Sequence, residues 1–500
     1  MADTMKQQEA ALTAESEPEE QVEPAEESDP SPARPSPSPN IFDTGLSTIA
    51  AYQRAAFRTG FTRDLAFRRQ SLKALRKAIV TAEKDILAAM HADLGRPKTE
   101  AYTSEIALLL HEIDVTLKKL RGWSKPRRVR SPLVSLRSAS RIEAEPYGSA
   151  LIIAPWNYPF QLALGPLIPA IAAGNCAVVK PSESAPESAA VIARIIRETF
   201  KPHHVAVFEG EADVSRTLLD QRFDLIFYTG GTAVGRTVMA AAARHLTPVI
   251  LELGGKNPCF VTADADLDIA ARRIAWGKFV NAGQTCIAPD FVLADASIKD
   301  ALQEKLIETI AKFYGDVPKA SPDFGRIVNE RHFDRLTALM EGAEIVAGGE
   351  SDRAERYIAP TLVTGIDWSH PLMAGEIFGP VLPIMAYEDL DTELIILKNR
   401  PKPLALYVFS GDRATQERIL AHLPSGGAAI NDTLSQVVNT RLPFGGIGES
   451  GMGAYHGKAG FDAFSHQRAI VRRALKPEGG MIYPPYKTPL WVLRRMVRFF

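Results

Sequence analysis

Leu225-Ile226-Phe227-Tyr228-Thr229-Gly230-Gly231-Thr232-Ala233-Val234-Gly235 decides the fold. A short apolar run stops at paired glycines, and a helical pattern continues from there to about residue 245. A strand feeding a glycine turn and then a helix is the repeating unit of a parallel sheet with helices on both faces. Upstream, the apolar strand 149–153 ends at Ala154-Pro155-Trp156-Asn157. Another, 176–179, ends at Lys180-Pro181-Ser182-Glu183 and precedes a helix over 188–200; a further strand covers 204–208. The class is therefore α/β. Ligands of such sheets bind at the carboxyl ends of the strands, where all these short polar motifs sit.

Working outward, residues 254–440 hold a second set of αβ signals, with helices over 265–275, 298–314 and 330–340 and strands over 291–294, 361–364, 381–386 and 405–409. Before the first sheet, Leu65, Leu72, Leu75, Ile79, Ala82, Ile86 and Met90 follow a helical period, and a second helix covers 103–120. Pro126, Pro132 and many arginines break the pattern over 124–141.

The chain has 500 residues, 46% hydrophobic content, 58 Lys+Arg against 59 Asp+Glu and 3 Cys. That length supports two or three domains and a large core. A net charge of −1 argues against a nucleic-acid partner. The total hides a split: residues 1–40 hold ten acidic and two basic residues, a sum of −8, which leaves +7 for the remainder. The proline-rich, acidic stretch 1–40 reads as a disordered tail. An odd number of widely spaced cysteines makes no disulfide framework and fits a reducing compartment. No apolar run reaches the length of a membrane span.

Several residues could carry chemistry. The Gly230–Gly235 turn lets backbone N–H groups approach an anion at a helix N-terminus, although a plain tight turn would read the same way. Lys180 at a strand end can bond ribose hydroxyls and Glu183 can accept from one; a surface pair at a helix start is the alternative. Cys286 lies in Asn281-Ala282-Gly283-Gln284-Thr285-Cys286, whose polar flanks suggest a cleft, whereas Cys176 and Cys259 sit in apolar strands and read as core. Glu252, in Leu251-Glu252-Leu253-Gly254-Gly255-Lys256, is a carboxylate inside an apolar strand. Burial there would raise its pKa toward that of a general base. Asn157 could donate to a developing oxyanion. Glu376-Ile377-Phe378-Gly379-Pro380 and Pro443-Phe444-Gly445-Gly446 say only "loop" by themselves.

Taken in order, these motifs resemble the aldehyde dehydrogenase superfamily over roughly residues 45–485. The segments 450–458 and 464–468 are similar to its class 3 branch of fatty, aromatic and coniferyl aldehyde dehydrogenases. Gly231 is a small departure, since many relatives carry Ser or Asn there. The resemblance implies a Rossmann-type NAD-binding domain (41–124 and 146–253) and an α/β catalytic domain (254–440). It also implies a small bridging and oligomerisation arm (125–145 and 455–485) and a basic apolar gatekeeper helix (486–500).

The resemblance further implies that Cys286 attacks the aldehyde carbon. Asn157 and the Cys286 backbone N–H would hold the oxyanion, and Glu252 would activate water against the thioester. Cofactor contacts would come from Trp156, Lys180, Glu183, Gly230, Gly231, Thr232, Gly235, Leu253 and Gly254, with Glu376, Phe378 and Phe444 on the nicotinamide side. NAD is expected, with NADP also accepted, and no metal. A CoA-acylating relative is the rival reading; such relatives generally lack the strand glutamate. The expected partners are a small-molecule aldehyde, medium- or long-chain aliphatic or aromatic, and a second copy of the chain. The expected location is cytoplasmic. The C-terminal stretch is read as gating the substrate entrance, with weak contact to an anionic membrane surface as the alternative.

Overall fold

The computed structural model describes residues 45–132, 138–475 and 484–496. The expected acidic tail, residues 476–483 of the expected second arm and the last four residues lie outside them. The first sheet has the strand order Gly451–Met452, Val249–Glu252, Leu225–Thr229, Ser149–Ile153, Cys176–Lys180, Val205–Val207. All neighbours are parallel except the short Gly451–Met452 edge. The order reverses between Ser149–Ile153 and Leu225–Thr229, which opens a crevice beyond their carboxyl ends.

Alternation along each strand fills two separate cores. Ala150, Ile152, Ala177, Val179, Leu225 and Phe227 face one cluster with the helices Leu65–Thr81, Ala107–Trp123 and Pro186–Thr199. Leu151, Ile153, Val178, Ile226 and Tyr228 face the other, against Ile49–Arg58 and Thr232–Ala243. Continuous apolar strands are what a sheet covered on both faces requires.

The second sheet runs Glu344–Ala347, Thr361–Thr364, Val381–Tyr387, Phe291–Asp295, Pro258–Val261, Ala405–Phe409, Gly427–Ile430. It too buries alternate residues on opposite sides, with Cys259 and Val292 in one cluster and Phe260 and Leu293 in the other. A third sheet of Arg127–Val129, Ser138–Pro146 and Ser465–Arg473 is antiparallel and half exposed.

Some expectations need correction. The helical period over 65–90 is interrupted at Ala82, which caps one helix and starts Glu83–Leu94. The helix expected over 103–120 begins as the π-helical turn Tyr102–Ile106 and continues as Ala107–Trp123. Residues 455–464, assigned above to the second arm, pack on the first core through Tyr455, Phe461 and Phe464. The arm strand itself starts at Ser465.

Phe227 sits fully buried in the central strand, against Tyr455 and Phe464. Phe227→Ala is expected to cost about 3–5 kcal/mol through lost burial and the cavity left behind. A lowered urea midpoint by circular dichroism, with the slope unchanged, would measure this; an unmoved midpoint would contradict the packing described.

Candidate active site

Cys286 is held between the two large sheets by a loop whose geometry is costly to form. Asn281, Ala282 and Gly283 have φ of 54°, 50° and 75°, so two non-glycine residues take left-handed backbone. Such strain persists only where surrounding bonds over-determine it. Here they do. The Asn281 amide donates to the carbonyls of Asn157 (2.8 Å) and Gln284 (3.1 Å). Gln284 donates to Asn281 O and Arg326 O and accepts from Val328 N–H. Asn257 donates to the Cys286 carbonyl at 2.8 Å and to Ala288 O at 3.0 Å, which fixes the turn carrying the sulfur. At Gly283 a Cβ would stand 2.2 Å from Gly379 O, so only glycine fits.

A buried guanidinium joins this loop to the first sheet. Arg96 is fully buried and donates to Glu105, to the Asn157 carbonyl and, at 3.1 Å, to Asn281 Oδ1. Glu105 in turn accepts the Phe160 and Gln161 N–H groups at 2.7 and 3.0 Å. Arg96 also lies 4.5 Å over the Tyr158 ring, and the Tyr158 hydroxyl meets Thr285 Oγ1 at 2.7 Å. Asn157 is thereby anchored through its backbone, while its side chain donates one N–H to Gln284 O at 3.1 Å. An amide nitrogen has a second N–H to give.

Cys286 lies where two cavities meet. The crevice, about 250 Å³, is lined by Trp156, Asn157, Gly230, Gly231, Glu252, Leu253, Gly254, Glu376 and Phe378. The other is a chamber of about 590 Å³ with a mostly apolar and aromatic wall, including Leu108, Leu162, Trp276, Phe313, Leu434 and Tyr455. Phe444, expected on the nicotinamide side, lines this chamber instead, paired by its backbone to Tyr455. The turn 443–446 delivers it to the opposite side of the sulfur.

Burial pushes the Cys286 thiol above its ordinary range, and the Glu376 and Glu252 carboxylates add to the shift. The N–H groups of Cys286 and Ile287 work against it, favouring an anionic sulfur. Glu252 ends its strand with neither carboxylate oxygen hydrogen-bonded, and burial raises its pKa well above the usual carboxylate range. Glu376 is raised to about 8, chiefly by burial and then by Asp290, against the pull of the Gly255 N–H, Lys256 and Lys278. A Cβ on Gly254 would stand 2.0 Å from Glu376 Oε2, so glycine is needed for that approach.

The remaining expected residues, Lys180, Glu183, Thr232 and Gly235, do not line the crevice itself. Lys180 is buried at the end of the strand beside Ser149–Ile153 and is ion-paired with Glu183. Burial works against the Glu183 charge, but Lys180, the Glu183 N–H and Arg331 together outweigh it and hold the carboxyl below its usual range. Thr232 donates to Glu449 O at 3.1 Å and borders an adjoining cavity. Gly235 is buried, and a Cβ there would stand 2.7 Å from Leu253 Cδ2. Thus Gly235 sets the position of a crevice-lining residue without lining the crevice itself.

Sequence reasoning missed Arg96, Asn257 and His332. The His332 ring packs 5.1 Å from Trp156 and lines the crevice; burial and then Arg335 and Arg331 lower its pKa to about 4.

The sequence model of the family described as "Aldehyde dehydrogenase family" matches residues 46–470. The chain is 48% identical to the 4,4'-diaponeurosporen-aldehyde dehydrogenase of Staphylococcus aureus, over 87% of this chain and 95% of that protein. It is 46% identical to the "dimeric NADP-preferring" aldehyde dehydrogenase of Canis lupus familiaris, over 88% and 98%. Among solved structures, the substrate-bound state of Staphylococcus aureus AldH is similar with a TM-score of 0.89 and 46% identity, covering 91% of this chain and 100% of that one. An indole-3-acetaldehyde dehydrogenase complexed with NAD+ has a TM-score of 0.79 and 25% identity, covering 86% and 89%.

Two measurements check the geometry. Arg96→Met leaves Glu105 buried beside no cation and is expected to destabilise the protein by about 3–5 kcal/mol. Arg96→Lys, which keeps the charge with fewer donors, is expected to cost less, and equal urea midpoints for both would contradict the network. Because the thiol pKa is raised, iodoacetamide is expected to label Cys286 slowly at about pH 7 and about tenfold faster per added pH unit while the thiol remains the major form. Cys176 and Cys259, both fully buried, are expected to react only after unfolding.

Proposed function

The chain belongs to the aldehyde dehydrogenase family, and from that premise we propose how its own residues carry the reaction. It is an oxidoreductase that converts aldehydes to carboxylic acids with NAD(P). The crevice suits a dinucleotide. The helix Thr232–Ala243 begins without a side-chain cap, leaving N–H groups for a pyrophosphate, and a Cβ placed on Gly231 would meet nothing within 4 Å. Trp156, His332 and Phe378 give an aromatic wall near the sulfur. When bound there, the nicotinamide supplies a hydride acceptor.

The observation that carries the reading is a thiol and an unpartnered carboxylate facing one crevice. Cys286, its proton passed to solvent, attacks the aldehyde carbon through sulfur, and the carbonyl π pair moves onto oxygen. The new oxyanion takes the free Asn157 N–H and the Cys286 backbone N–H, donors fixed in place before the reaction. Loss of hydride leaves a thioester on Cys286. Glu252, ionised, takes a proton from water and directs it at the thioester, releasing the acid. Lys180 and Glu183 hold the adenosine ribose, the Gly230–Gly235 turn holds the phosphates, and Glu376 and Phe378 border the nicotinamide. Phe444 belongs with the aldehyde.

The apolar chamber supports medium- or long-chain aliphatic or aromatic aldehydes. One relative is named for diaponeurosporen aldehyde. A homodimer is supported by Ser465–Arg473, which among the described residues pairs on one side only and leaves Val471 64% exposed. We propose an NAD-binding domain around the first sheet, a catalytic domain around the second and a bridging arm built on the third. Leu490–Met496, with Leu490 and Trp491 exposed, is proposed to gate the chamber, with weak membrane-surface contact the other use of the same residues. No helix among the described residues is long and apolar enough to cross a membrane, and the proposed location is the cytoplasm.

With its pKa raised, Glu252 is protonated at low pH and cannot accept a proton, so turnover is expected to climb with pH as it ionises. Glu252→Gln is expected to remove that limb and lower kcat by about 10²-fold or more. Unchanged turnover without CoA would defeat water activation by Glu252. Asn157→Ala is expected to lower kcat by about 10²–10³-fold with little change in KM.

A further inference from the structure

Beyond the chamber lies a cleft of about 730 Å³ that the reaction does not use. Its floor includes Val115 and Trp123, and its rim carries Lys118, Lys119, Arg441, Lys458 and His111. No carboxylate lines it. Lys458 is paired with Asp462 at 2.5 Å, but Lys118, Lys119 and Arg441 have no acidic partner within 4.0 Å among the described residues. Unpaired cations gathered around a concave surface raise the local potential and concentrate anions.

The cleft adjoins the chamber along the same two elements. Val438 lines both. The helix Ala107–Trp123 contributes Leu108 to the chamber and His111, Val115, Lys118 and Lys119 to the cleft. From Leu108 to Lys119 the helix rises about 16 Å. His111 Nε2 lies 3.5 Å from Thr440 Oγ1, tying that helix to the loop carrying Val438 and Arg441.

We propose that this cleft binds the anionic end of an elongated aldehyde, a carboxylate carried on the chain far from the aldehyde carbon. The chain then lies in the chamber while the aldehyde reaches Cys286. The guanidinium of Arg441 offers a carboxylate two parallel donors, and the lysines add point charge. This rests on the reading of the chamber as the aldehyde site. A phosphate on a lipid surface would meet the same cations, and the experiment separates the two.

Oxidation of ω-oxo carboxylates and of alkanals with the same carbon number is followed through cofactor reduction, over a series of increasing length. Beyond a threshold length, the oxo acid is expected to exceed its alkanal in kcat/KM by about fivefold at low salt. That advantage is expected to shrink with added salt. A variant combining Lys118→Gln, Lys119→Gln and Arg441→Gln is expected to lose the advantage while oxidising alkanals at the parental rate. Equal kcat/KM for both series at every length, or an advantage that survives in the variant, would overturn the assignment. Anionic vesicles that bind the parent but not the variant, with no oxo-acid advantage, would give the cleft to a membrane surface and overturn it as well. Refusal of every aldehyde, alkanals included, would instead overturn the reading on which it rests.

Discussion

A guanidinium sealed from water holds the reacting groups in register. Arg96 is fully buried and paired with Glu105, and its other donors reach Asn157 and Asn281. Those partners come from different parts of the chain. Glu105 lies in a helical turn under the first sheet, Asn157 follows a strand of that sheet, and Asn281 begins the strained loop that presents the sulfur. A buried charge is tolerable only when its donors are satisfied, so the bonds that solve the solvation problem also fix Asn157, the proposed oxyanion donor, relative to the thiol. Asn257 completes the arrangement from the second sheet by holding the Cys286 carbonyl.

Around that frame, carboxyl groups sit where ionisation is difficult. Glu252 has no hydrogen-bond partner at either oxygen, and Glu376 is raised to about 8 with one oxygen unpartnered. An unpaired buried carboxyl is a standing cost that an apolar side chain would remove. Its retention is understandable when a proton must be taken from water at this spot. The two cavities divide the work: one side of the sulfur is narrow and bordered by glycines and aromatics, the other is wide and apolar.

Much of this was legible in the sequence because the information is local. The strands of both sheets are short apolar runs bounded by Gly, Pro or polar residues, and their ends carry the motifs. The edge strands Glu344–Ala347 and Gly427–Ile430 were not legible, since each is four residues long and mostly half-buried or exposed, and the apolar runs Ile345-Val346-Ala347 and Ala428-Ala429-Ile430 are too short to stand out. Arg96 was hidden for a different reason. In Gly95-Arg96-Pro97 an arginine reads as a surface turn, and only contacts with residues 61 and 185 positions away bury it. Phe444 shows a third limit. Its motif identified a loop at the site, but which of two adjacent cavities the ring enters is decided by pairing with Tyr455.

The central claim is that Cys286 carries an acyl group which Glu252 helps water to remove. Mass spectrometry of the Glu252→Gln protein, quenched by acid after mixing with NAD+ and a long-chain aldehyde, tests it directly. The account predicts an acyl mass on the peptide containing Cys286, in near-stoichiometric amount, and none when NAD+ is left out. Product formation at the parental rate with an unmodified Cys286 peptide would contradict it.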